Sequence, residues 1–296
     1  MTASATKETV GSALTRGVSE LIRAQVEAPR LTAELLLGYQ LGLSRVQILT
    51  HPESGVDPAM HALFLELVMR RAAGEPLQYI LGEQEFYGLR FRVTPSVLIP
   101  RSETELLVEE ALSLAANKPS AVRFIDVGTG SGCIAVSFAK HLPLAIGWAV
   151  DASQEALKVA RENAIHWGVL DRMQFVQGDL LECFHPSPQF DFVLSNPPYV
   201  TCREYESLPV MVRDHEPGMA LLGGESGLAS FGRLIPQASR RLKPGGYLLL
   251  EIGAGPSDAV SALLQTEDLI VKHIAADLRG IPRCIIAQNN SRSVNG

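Results

Sequence analysis

The sequence lacks the cysteine and histidine patterns that mark a metal or redox centre. Its four cysteines are scattered, with no C-x-x-C pair and no histidine at zinc-ligand spacing. They are Cys133, Cys183, Cys202 and Cys284. This distribution argues against a zinc site and a disulfide framework, so we expect no bound metal. Scattered reduced thiols are typical of a cytoplasmic protein, and we predict that location.

Long apolar runs and an excess of basic charge are also missing. The longest apolar stretches, such as Tyr247–Leu250, are far too short to cross a bilayer. Residues 1–11 contain no apolar segment of the kind that makes a secretory signal. The formal net charge is −6, which argues against a protein that grips long stretches of nucleic acid, because phosphate contacts need a basic face. We therefore predict no membrane partner and no nucleic-acid substrate.

The sequence does have the length and composition of two globular domains. It contains 296 residues, of which 46% are hydrophobic and 20% charged, enough for a substantial core. Residues 1–84 carry apolar side chains at helical spacing, as in Leu31–Leu37, and predict a small helical bundle. Residues 85–101 predict a β-hairpin linker, because Phe91-Arg92-Val93 alternates apolar and polar residues and Val97-Leu98-Ile99 ends at a proline.

Residues 102–288 predict an α/β domain built on a mostly parallel, seven-stranded sheet. Ser102 and Glu105 fit a capping box that would begin its first helix. The strand candidates are Arg123–Val127, Gly147–Val150, Gln174–Gln177, Phe190–Ser195, Tyr247–Ile252, Ile270–Ala275 and Cys284–Ala287. Helices are expected between the first five. The last two have no helix between them, which indicates an antiparallel end, and a polar, flexible tail is predicted at 289–296.

A glycine-rich loop connects the first of these strands to a helix. The loop consists of Gly128, Thr129, Gly130, Ser131 and Gly132. Its three glycines remove side chains where a ligand would approach the backbone. The N-terminus of the next helix favours an anionic group, such as the carboxylate of a methionyl moiety. A dinucleotide motif would need glycine at position 133, where Cys133 stands, which weakens that alternative without excluding it.

Two aspartates end neighbouring strands at the same predicted edge of the sheet. Asp151 ends the second strand and is suited to accept hydrogen bonds from both ribose hydroxyls of a nucleoside, or alternatively to cap the next helix. Asp179 follows the third strand, where it can accept from an adenine amino group with Leu180 as an apolar neighbour of the ring. Open α/β sheets bind ligands at the carboxyl ends of their strands, so these positions predict a cofactor that contains a nucleoside.

The fourth strand delivers Asn196-Pro197-Pro198-Tyr199 to that edge. An amide nitrogen is a poor nucleophile because its lone pair is delocalised into the carbonyl group. The Asn196 side-chain oxygen and the Pro197 carbonyl can accept from its two N–H bonds and so aim the lone pair at a sulfonium methyl group. Consecutive prolines stiffen the turn, and the Tyr199 ring offers a flat wall to a planar group.

The loop, the aspartates and the tetrapeptide together predict a methyltransferase that uses S-adenosyl-L-methionine and acts on a planar amide or amine nitrogen. The predicted cofactor contacts are Gly128, Thr129, Gly130, Ser131, Gly132, Asp151, Asp179, Leu180 and Asn196. The predicted catalytic residues are Asn196, Pro197 and Tyr199, and Pro198 joins them at the substrate. Two alternatives stay open: the tetrapeptide also suits an adenine amino group flipped out of a nucleic-acid helix, and a non-catalytic binding protein could keep the same sheet.

Strings of residues along most of the chain follow a known family pattern. They are Glu75–Gly82, Phe86–Gly88, Val97–Glu109, Asp126–Gly132, Ser195–Val200, Glu216-Pro217, Leu242–Gly246, Glu251–Gly253 and Asp277–Arg283. These strings closely resemble the HemK/PrmC family of peptide chain release factor glutamine N5-methyltransferases. The resemblance covers nearly everything after residue 75, whereas the helical N-terminus agrees in class only.

The resemblance implies a Rossmann-like class I methyltransferase domain over 102–288 and a helical domain over 1–84 that helps hold the substrate protein. The implied acceptor is the glutamine side-chain amide of the Gly-Gly-Gln motif in class 1 release factors, and the implied by-product is S-adenosyl-L-homocysteine. Gly128–Gly132, Asp151 and Asp179-Leu180 match the cofactor site, and Asn196–Tyr199 match the glutamine site. Ser102 replaces a usual proline, as in sister enzymes that methylate a ribosomal-protein glutamine, which is the alternative substrate.

Overall fold

The structure is a computed structural model and describes residues 8–116, 118 and 121–290. It divides the chain into two compact units. The first contains the residues up to Gly82 together with Val210–His215, and the second contains Glu83–Pro209 and the residues from Glu216 onward. The predicted domain boundaries stay predictions. Of the tail predicted at 289–296, Asn289 is the last residue of a strand, and residues 291–296 lie outside the described residues. No described helix is both long and apolar enough to cross a membrane.

The described elements follow one another along the chain with clear bounds. The helices are α1 Val10–Arg23, α2 Pro29–Leu41, α3 Arg45–Thr50, α4 Pro58–Ala72, α5 Leu77–Leu81, α6 Glu105–Ala115, α7 Cys133–His141, α8 Gln154–His166, α9 Cys202–Glu206, α10 Val210–Arg213, α11 Ala229–Ser239 and α12 Ser257–Gln265. The strands are β1 Glu83–Phe86, β2 Leu89–Arg92, β3 Arg123–Val127, β4 Ile146–Asp151, β5 Met173–Gln177, β6 Phe190–Ser195, β7 Leu242–Glu251, β8 Leu269–Ala276 and β9 Pro282–Asn289.

The first unit is helical, as the apolar spacing of its sequence predicts. It contains α1 to α5 and α10. Thr9, Ser44 and Asp57 cap α1, α3 and α4, because their side-chain oxygens accept from backbone amides that a helix start leaves unpaired. Leu37 and Phe64 are fully buried in the core that these helices share. The predicted helical N-terminal region is therefore confirmed.

A short antiparallel hairpin opens the second unit. β1 and β2 pair with Phe86 opposite Leu89, so a hairpin is present where one is predicted. Its second strand ends at Arg92, and the prediction of strand structure as far as Ile99 is wrong. Pro95 gives the reason, since proline has no N–H to donate to a strand ladder. The following residues, 93–101, run without regular structure.

The predicted capping box at the start of α6 is also wrong. Ser102 begins a short 3₁₀ turn, and α6 starts at Glu105 with no side-chain cap. The Glu105 carboxylate instead accepts from the backbone amide of Tyr87 at 2.7 Å. Tyr87 has a φ of +50° in the tight β1–β2 turn, so its amide needs a partner from outside the hairpin. The hydrogen bond from Tyr87 thus occupies the Glu105 carboxylate oxygen that the capping-box pattern assigns to the start of the helix.

Seven strands form the main sheet of the described chain, in the order β5-β4-β3-β6-β7-β9-β8. The strands from β5 to β7 are parallel to their neighbours, and β9 runs antiparallel to both β7 and β8. β3 and β6 have the predicted bounds, and β4, β5, β8 and β9 extend one or more residues beyond theirs. β7 begins at Leu242, earlier than predicted, and ends at Glu251, one residue before the predicted end. The predicted Rossmann-like α/β fold with an antiparallel end is confirmed.

Helices cover both faces of this sheet. Phe124 of β3 packs with α6, α7 and α8 on one face, and the next residue, Ile125, packs with α11 and α12 on the other. Side chains alternate between the faces because the strand repeat is two residues. The helix expected between β5 and β6 is absent from residues 178–189. Pro186 and Pro188 in that segment explain the error, since proline interrupts helical hydrogen bonding.

The strand order sets the position of the site. Chain connections from β3 lead to β4 on one side, whereas β6 lies on the other side of β3. In open α/β sheets such a reversal leaves a crevice at the carboxyl ends of the strands. Gly128 follows β3, Asp151 ends β4 and Asn196 follows β6, so all three come to this crevice.

Candidate active site

A cavity of about 510 Å³ lies at the carboxyl edge of the sheet. Its walls come from residues 96–101, from the loops after β3, β4, β5 and β6, and from residues 217–233. Most of the predicted site residues line it: Gly128, Thr129, Gly130, Ser131, Asp151, Asp179, Leu180, Asn196 and Pro198. Gly132, Pro197 and Tyr199 belong to the same loops but do not line the cavity. The fold thus brings together side chains from four separate strand ends.

The three glycines of the loop have different reasons to be glycine. All have positive φ, at +73° for Gly128, +54° for Gly130 and +79° for Gly132. A Cβ added at Gly128 or Gly130 would meet nothing within 4 Å, so it would project into open space beside the cavity. A Cβ at Gly132 would come within 3.0 Å of the Ala160 Cβ. Gly132 therefore allows α7 to pack closely against α8, which differs from the ligand contact that the spacing predicts.

A fully buried carboxyl group supports the loop from below. Asp126 Oδ2 accepts from the Thr129 hydroxyl at 2.7 Å and from the Ala135 amide at 3.2 Å. Burial raises the pKa of Asp126 to about 7, although these hydrogen bonds act in the opposite direction. The sequence analysis did not select this residue. Its signal was a charged residue between the apolar residues Ile125 and Val127 of strand β3.

Asp151 is fixed by backbone amides of two loops, the one after β3 and the one after β4. One carboxylate oxygen accepts from the Gly130 amide and the other from the Ser153 amide, each at 2.9 Å. Burial raises its pKa, and the backbone hydrogen bonds act in the opposite direction. The cap of α8 is Ser153, whose hydroxyl accepts from the Ala156 amide. Asp151 therefore ties the glycine loop to the end of β4 and does not itself cap the helix.

Asp179 and Leu180 form the next part of the wall. Asp179 is exposed and pairs with Arg233 at 2.7 Å, and Arg233 also contacts Glu182 at 2.9 Å. Leu180 has a φ of +53°, an uncommon conformation for a residue with a branched side chain. It packs partly against the core on the α11 side of the sheet while lining the cavity.

Asn196 is held by polar side chains that the sequence analysis did not select. Its Nδ2 donates to the Thr104 hydroxyl at 3.2 Å. Glu251, at the end of β7, is 3% exposed, and Thr104 is 2% exposed. Burial raises the pKa of Glu251 to about 7, and hydrogen bonds from Thr104 and Asn196 act in the opposite direction. The members lie in three strings that follow the family pattern, but these strings are distant along the chain, so nothing in the sequence signals that they meet.

Three glycines pack closely against Pro198 and Tyr199 of the tetrapeptide. A Cβ at Gly223 would lie 2.7 Å from the Pro198 carbonyl oxygen, and one at Gly227 would lie 2.5 Å from that of Tyr199. The Tyr199 ring packs against Gly253, where an added Cβ would come within 2.8 Å of Cδ2. Burial raises the pKa of the Tyr199 phenol to about 12, so this ring stays neutral. The turn is thereby fixed from the sides that do not face the cavity.

Residues 96–101 are anchored by one buried carboxylate. Glu216 is 1% exposed at its side chain and pairs with Arg101 at 2.5 Å. Its other oxygen accepts from the Ile99 amide at 3.1 Å. Arg101 lines the cavity and is one-third exposed. A segment without regular structure can therefore form a fixed wall of the cavity. The hydrogen bonds to Glu216 take the place of the backbone hydrogen bonds that a neighbouring strand would provide.

Two family descriptions match the chain. Residues 12–82 match the PrmC N-terminal domain. Residues 102–213 match the methyltransferase small domain. The two matches fall in the helical region and in the first part of the sheet domain, respectively.

Curated relatives are similar over almost the whole chain. A release factor glutamine methyltransferase of Koribacter versatilis is 43% identical over 282 residues, which cover 95% of this chain and 98% of the relative. A protein of the same name from Nitratidesulfovibrio vulgaris is 42% identical over 290 residues, covering 97% and 98%.

Solved structures show the same fold at low sequence identity. The hMettl16 catalytic domain in complex with a MAT2A 3′UTR hairpin superposes with a TM-score of 0.55 at 17% identity, covering 80% of this chain and 82% of that one. A methyltransferase from Pyrococcus furiosus has a TM-score of 0.51 at 18% identity, covering 70% and 91%. At this identity the likeness concerns the fold alone.

Proposed function

The chain belongs to the release factor glutamine methyltransferase family, and from this premise we propose its reaction in detail. It transfers a methyl group from S-adenosyl-L-methionine to the side-chain amide nitrogen, N5, of the glutamine in the Gly-Gly-Gln motif of class 1 release factors. The observation that carries the proposal is that Asn196 and Pro198 line the same cavity as the glycine loop and Asp151. Residues suited to bind an amide substrate and residues suited to bind a nucleoside thus line one cavity.

The walls of the cavity fit the proposed methyl donor. Gly128 and Gly130 leave open space where side chains would otherwise stand, which suits close approach of a ligand to the backbone. The Asp151 carboxylate, fixed by two backbone amides, is suited to accept from ribose hydroxyls. Asp179 and Leu180 complete the proposed cofactor contacts. The donor supplies a methyl group that is bonded to a sulfonium sulfur. The residues around the donor bind it and orient its methyl group.

Asn196 is the proposed catalytic residue for the acceptor amide. Its Nδ2 faces Thr104, so its Oδ1 is free to accept from an N–H of the glutamine, and the Pro197 carbonyl is proposed to accept from the other. These acceptors localise the nitrogen lone pair and stabilise the positive charge that develops as the nitrogen–carbon bond forms and the bond between the methyl carbon and sulfur breaks, with S-adenosyl-L-homocysteine as the leaving group. The methylated nitrogen then loses one proton to water and becomes a neutral secondary amide. Pro198 lines the wall around this group, and Tyr199, which packs against Gly253, is proposed to support that wall.

The remaining parts of the proposal concern the partner and the location. The helical unit is proposed to help hold the release factor. Tyr39 on α2 and Met69 on α4 support this role, because both are more than half exposed and offer apolar contacts to a protein. A release factor acts with ribosomes, so we propose that the enzyme works in the cytoplasm.

A methylation assay tests the proposal. Purified protein is incubated with isotopically labelled S-adenosyl-L-methionine and unmodified release factor, and peptide mass spectrometry locates the label. We expect one methyl group on the glutamine of Gly-Gly-Gln and none on a release factor whose glutamine is replaced by alanine. Parallel reactions with ribosomal proteins and with duplex DNA test the two rival acceptors. Label only on one of these, with the release factor unmodified, overturns the proposal.

A further inference from the structure

The orientation of the Asn196 side chain decides whether it can serve an amide substrate. The oxygen and nitrogen ends of an asparagine amide have nearly the same shape, and the side chain can turn its amide by half a turn. Only the orientation with Oδ1 toward the cavity offers an acceptor to a substrate N–H. The opposite orientation would present an N–H to another N–H, which repels. Something in the protein must therefore fix the correct end.

Thr104 alone does not make this choice. A hydroxyl can donate one hydrogen bond and can also accept, so it would satisfy either end of the Asn196 amide. In the structure the Asn196 Nδ2 donates to the Thr104 Oγ1 at 3.2 Å. The partner that determines this direction is found on the other side of the threonine.

Glu251 determines the direction of the hydrogen bond between Asn196 and Thr104. An ionised carboxylate only accepts hydrogen bonds, and Glu251 interacts with both the Thr104 hydroxyl and the Asn196 amide. With the Thr104 proton donated to Glu251, only oxygen lone pairs remain for Asn196, and its NH₂ group must face inward. Thr104 and Glu251 are 2% and 3% exposed, so solvent offers no substitute partner.

We propose that Thr104 and Glu251 are positioning residues that hold the Asn196 amide with Nδ2 inward and Oδ1 toward the acceptor nitrogen. This inference rests on the proposed function, since it assigns the orientation of the residue that contacts the glutamine. Glu251 does not line the cavity, and Thr104, which does, acts on the substrate amide through Asn196. Both are buried polar residues at the ends of their elements, Thr104 in the turn before α6 and Glu251 as the last residue of β7.

The protonation of Glu251 links this orientation to pH. Its pKa is raised to about 7, mainly by burial and also by the negative charge of Glu103, whereas the hydrogen bonds from Thr104 and Asn196 and the charge of Arg283 act in the opposite direction. A protonated Glu251 can donate to Thr104, which then can donate to Oδ1 of Asn196, so the direction is lost. The neighbouring Tyr199 phenol and Cys133 thiol have pKa values raised to about 12, and that of Cys284 is raised well above its ordinary value, so these groups stay neutral near pH 7.

The first test compares two substitutions at one position. Thr104→Val keeps the shape and removes the hydroxyl, whereas Thr104→Ser keeps the hydroxyl and removes the methyl group. We expect the valine variant to lower kcat about tenfold, the scale of one hydrogen bond to a charged network. KM for the release factor and Kd for S-adenosyl-L-methionine should stay within about twofold, and the serine variant should retain most of kcat. A structural role for the methyl group predicts the reverse order.

The second test asks whether Thr104 acts through Asn196. In an Asn196→Ala background the further change Thr104→Val should have no additional effect on the single-turnover rate, because no amide remains to be oriented. Full additivity of the two changes overturns the proposal. So does an active wild-type enzyme in which Thr104→Val keeps full kcat. An inactive wild type, in contrast, overturns the proposed function itself.

Glu251→Gln provides an independent test that does not change Thr104. A glutamine can donate as well as accept, so it no longer forces the direction of the hydrogen bonds. We expect kcat to fall several-fold at pH 8 and the rise of kcat between pH 6 and pH 8 to flatten. Asp126 also has a pKa raised to about 7, and the variant leaves it unchanged. A pH profile identical to that of the wild type contradicts the role of Glu251.

Discussion

At the residue scale, the chemistry of the site depends on a few side-chain oxygens. The Asn196 Oδ1 is the acceptor that we propose for the substrate amide, and the Asp151 carboxylate is the acceptor for the ribose of the cofactor. Asn196 uses its Nδ2 toward Thr104. Each Asp151 oxygen accepts from one backbone amide and keeps further lone pairs for a ligand. Because both are fixed before any ligand arrives, their replacement should change rate or affinity without unfolding the domain.

We predict that Asn196→Ala lowers turnover by about 10²-fold or more, the usual effect of removing one electrostatic partner of a transition state. The fold should survive, because Asn196 lies in a loop after β6. Single-turnover methylation of the release factor measures the effect, and circular dichroism checks the fold. Turnover close to that of the wild type in a well-folded variant would refute the assignment.

Asp151→Ala should weaken cofactor binding about tenfold or more, since it removes a charged acceptor worth roughly 1.5–3 kcal/mol. Titration calorimetry with S-adenosyl-L-homocysteine measures the change in Kd. Asp171→Ala is the matched control, because Asp171 is exposed in a short turn before β5. An equal loss of affinity in both variants would speak against a direct contact at Asp151.

Alanine substitutions at two loop glycines should separate packing from ligand contact. Gly132→Ala brings a Cβ within 3.0 Å of the Ala160 Cβ and 3.1 Å of its Cα, so we predict a loss of about 2 kcal/mol or more in the free energy of unfolding. Gly130→Ala points into open space and should cost only the positive-φ penalty, about 1–2 kcal/mol, while weakening cofactor binding. Urea unfolding and calorimetry measure the two effects. Equal stability of the two variants would contradict the packing role of Gly132.

At the element scale, an irregular segment forms one wall of the site because another part of the chain anchors it. Residues 96–101 contain no strand or helix, yet Glu216 holds both the Ile99 amide and the Arg101 guanidinium. The wall therefore depends on a carboxylate more than a hundred residues away, not on a backbone ladder.

Glu216→Ala should release this segment. We predict faster amide hydrogen exchange over residues 94–101 and a loss of about 2 kcal/mol in the free energy of unfolding, the scale of hydrogen bonds to a charged group. Glu225→Ala, at an exposed turn position, is the control and should change neither quantity. Unchanged exchange in the Glu216 variant would show that other contacts hold the segment.

At the scale of the whole molecule, two buried acids make stability depend on pH. The pKa values of Asp126 and Glu251 are both raised to about 7 by burial. A raised pKa means that the folded state binds the proton more tightly than the unfolded state. Tighter proton binding adds to the free energy of unfolding. This contribution is fully present below the pKa of the unfolded state, about 4, and is lost as the pH rises through about 7.

Comparing the Glu251→Gln variant with the wild type should show how the free energy of unfolding depends on pH through Glu251. Between pH 5 and pH 8 the free energy of unfolding of the wild type should fall by about 2–3 kcal/mol relative to the variant, since a tenfold change in proton affinity corresponds to about 1.4 kcal/mol. Urea unfolding at the two pH values measures the difference. A constant difference would show that Glu251 titrates near its ordinary value in the folded protein.

The sequence alone determined the fold class, the lining residues that follow the parallel strands and the family. These features are encoded in short strings: a glycine loop after an apolar strand, acids at strand ends, and Asn196–Tyr199 after β6. Parallel strands bring their carboxyl ends to one edge, so the local patterns were sufficient to predict which residues meet there. The family resemblance added the glutamine of a release factor as the substrate, which the tetrapeptide alone leaves open.

Only the tertiary structure decided which groups support those residues. Thr104 and Glu251 reach Asn196 from distant segments, and Ala160 makes Gly132 a packing glycine. The capping box at Ser102 failed because Glu105 is taken by the Tyr87 amide. Periodicity and motif spacing describe neighbours along the chain, whereas these partners are set by burial, where every polar group must find a hydrogen bond wherever the fold supplies one.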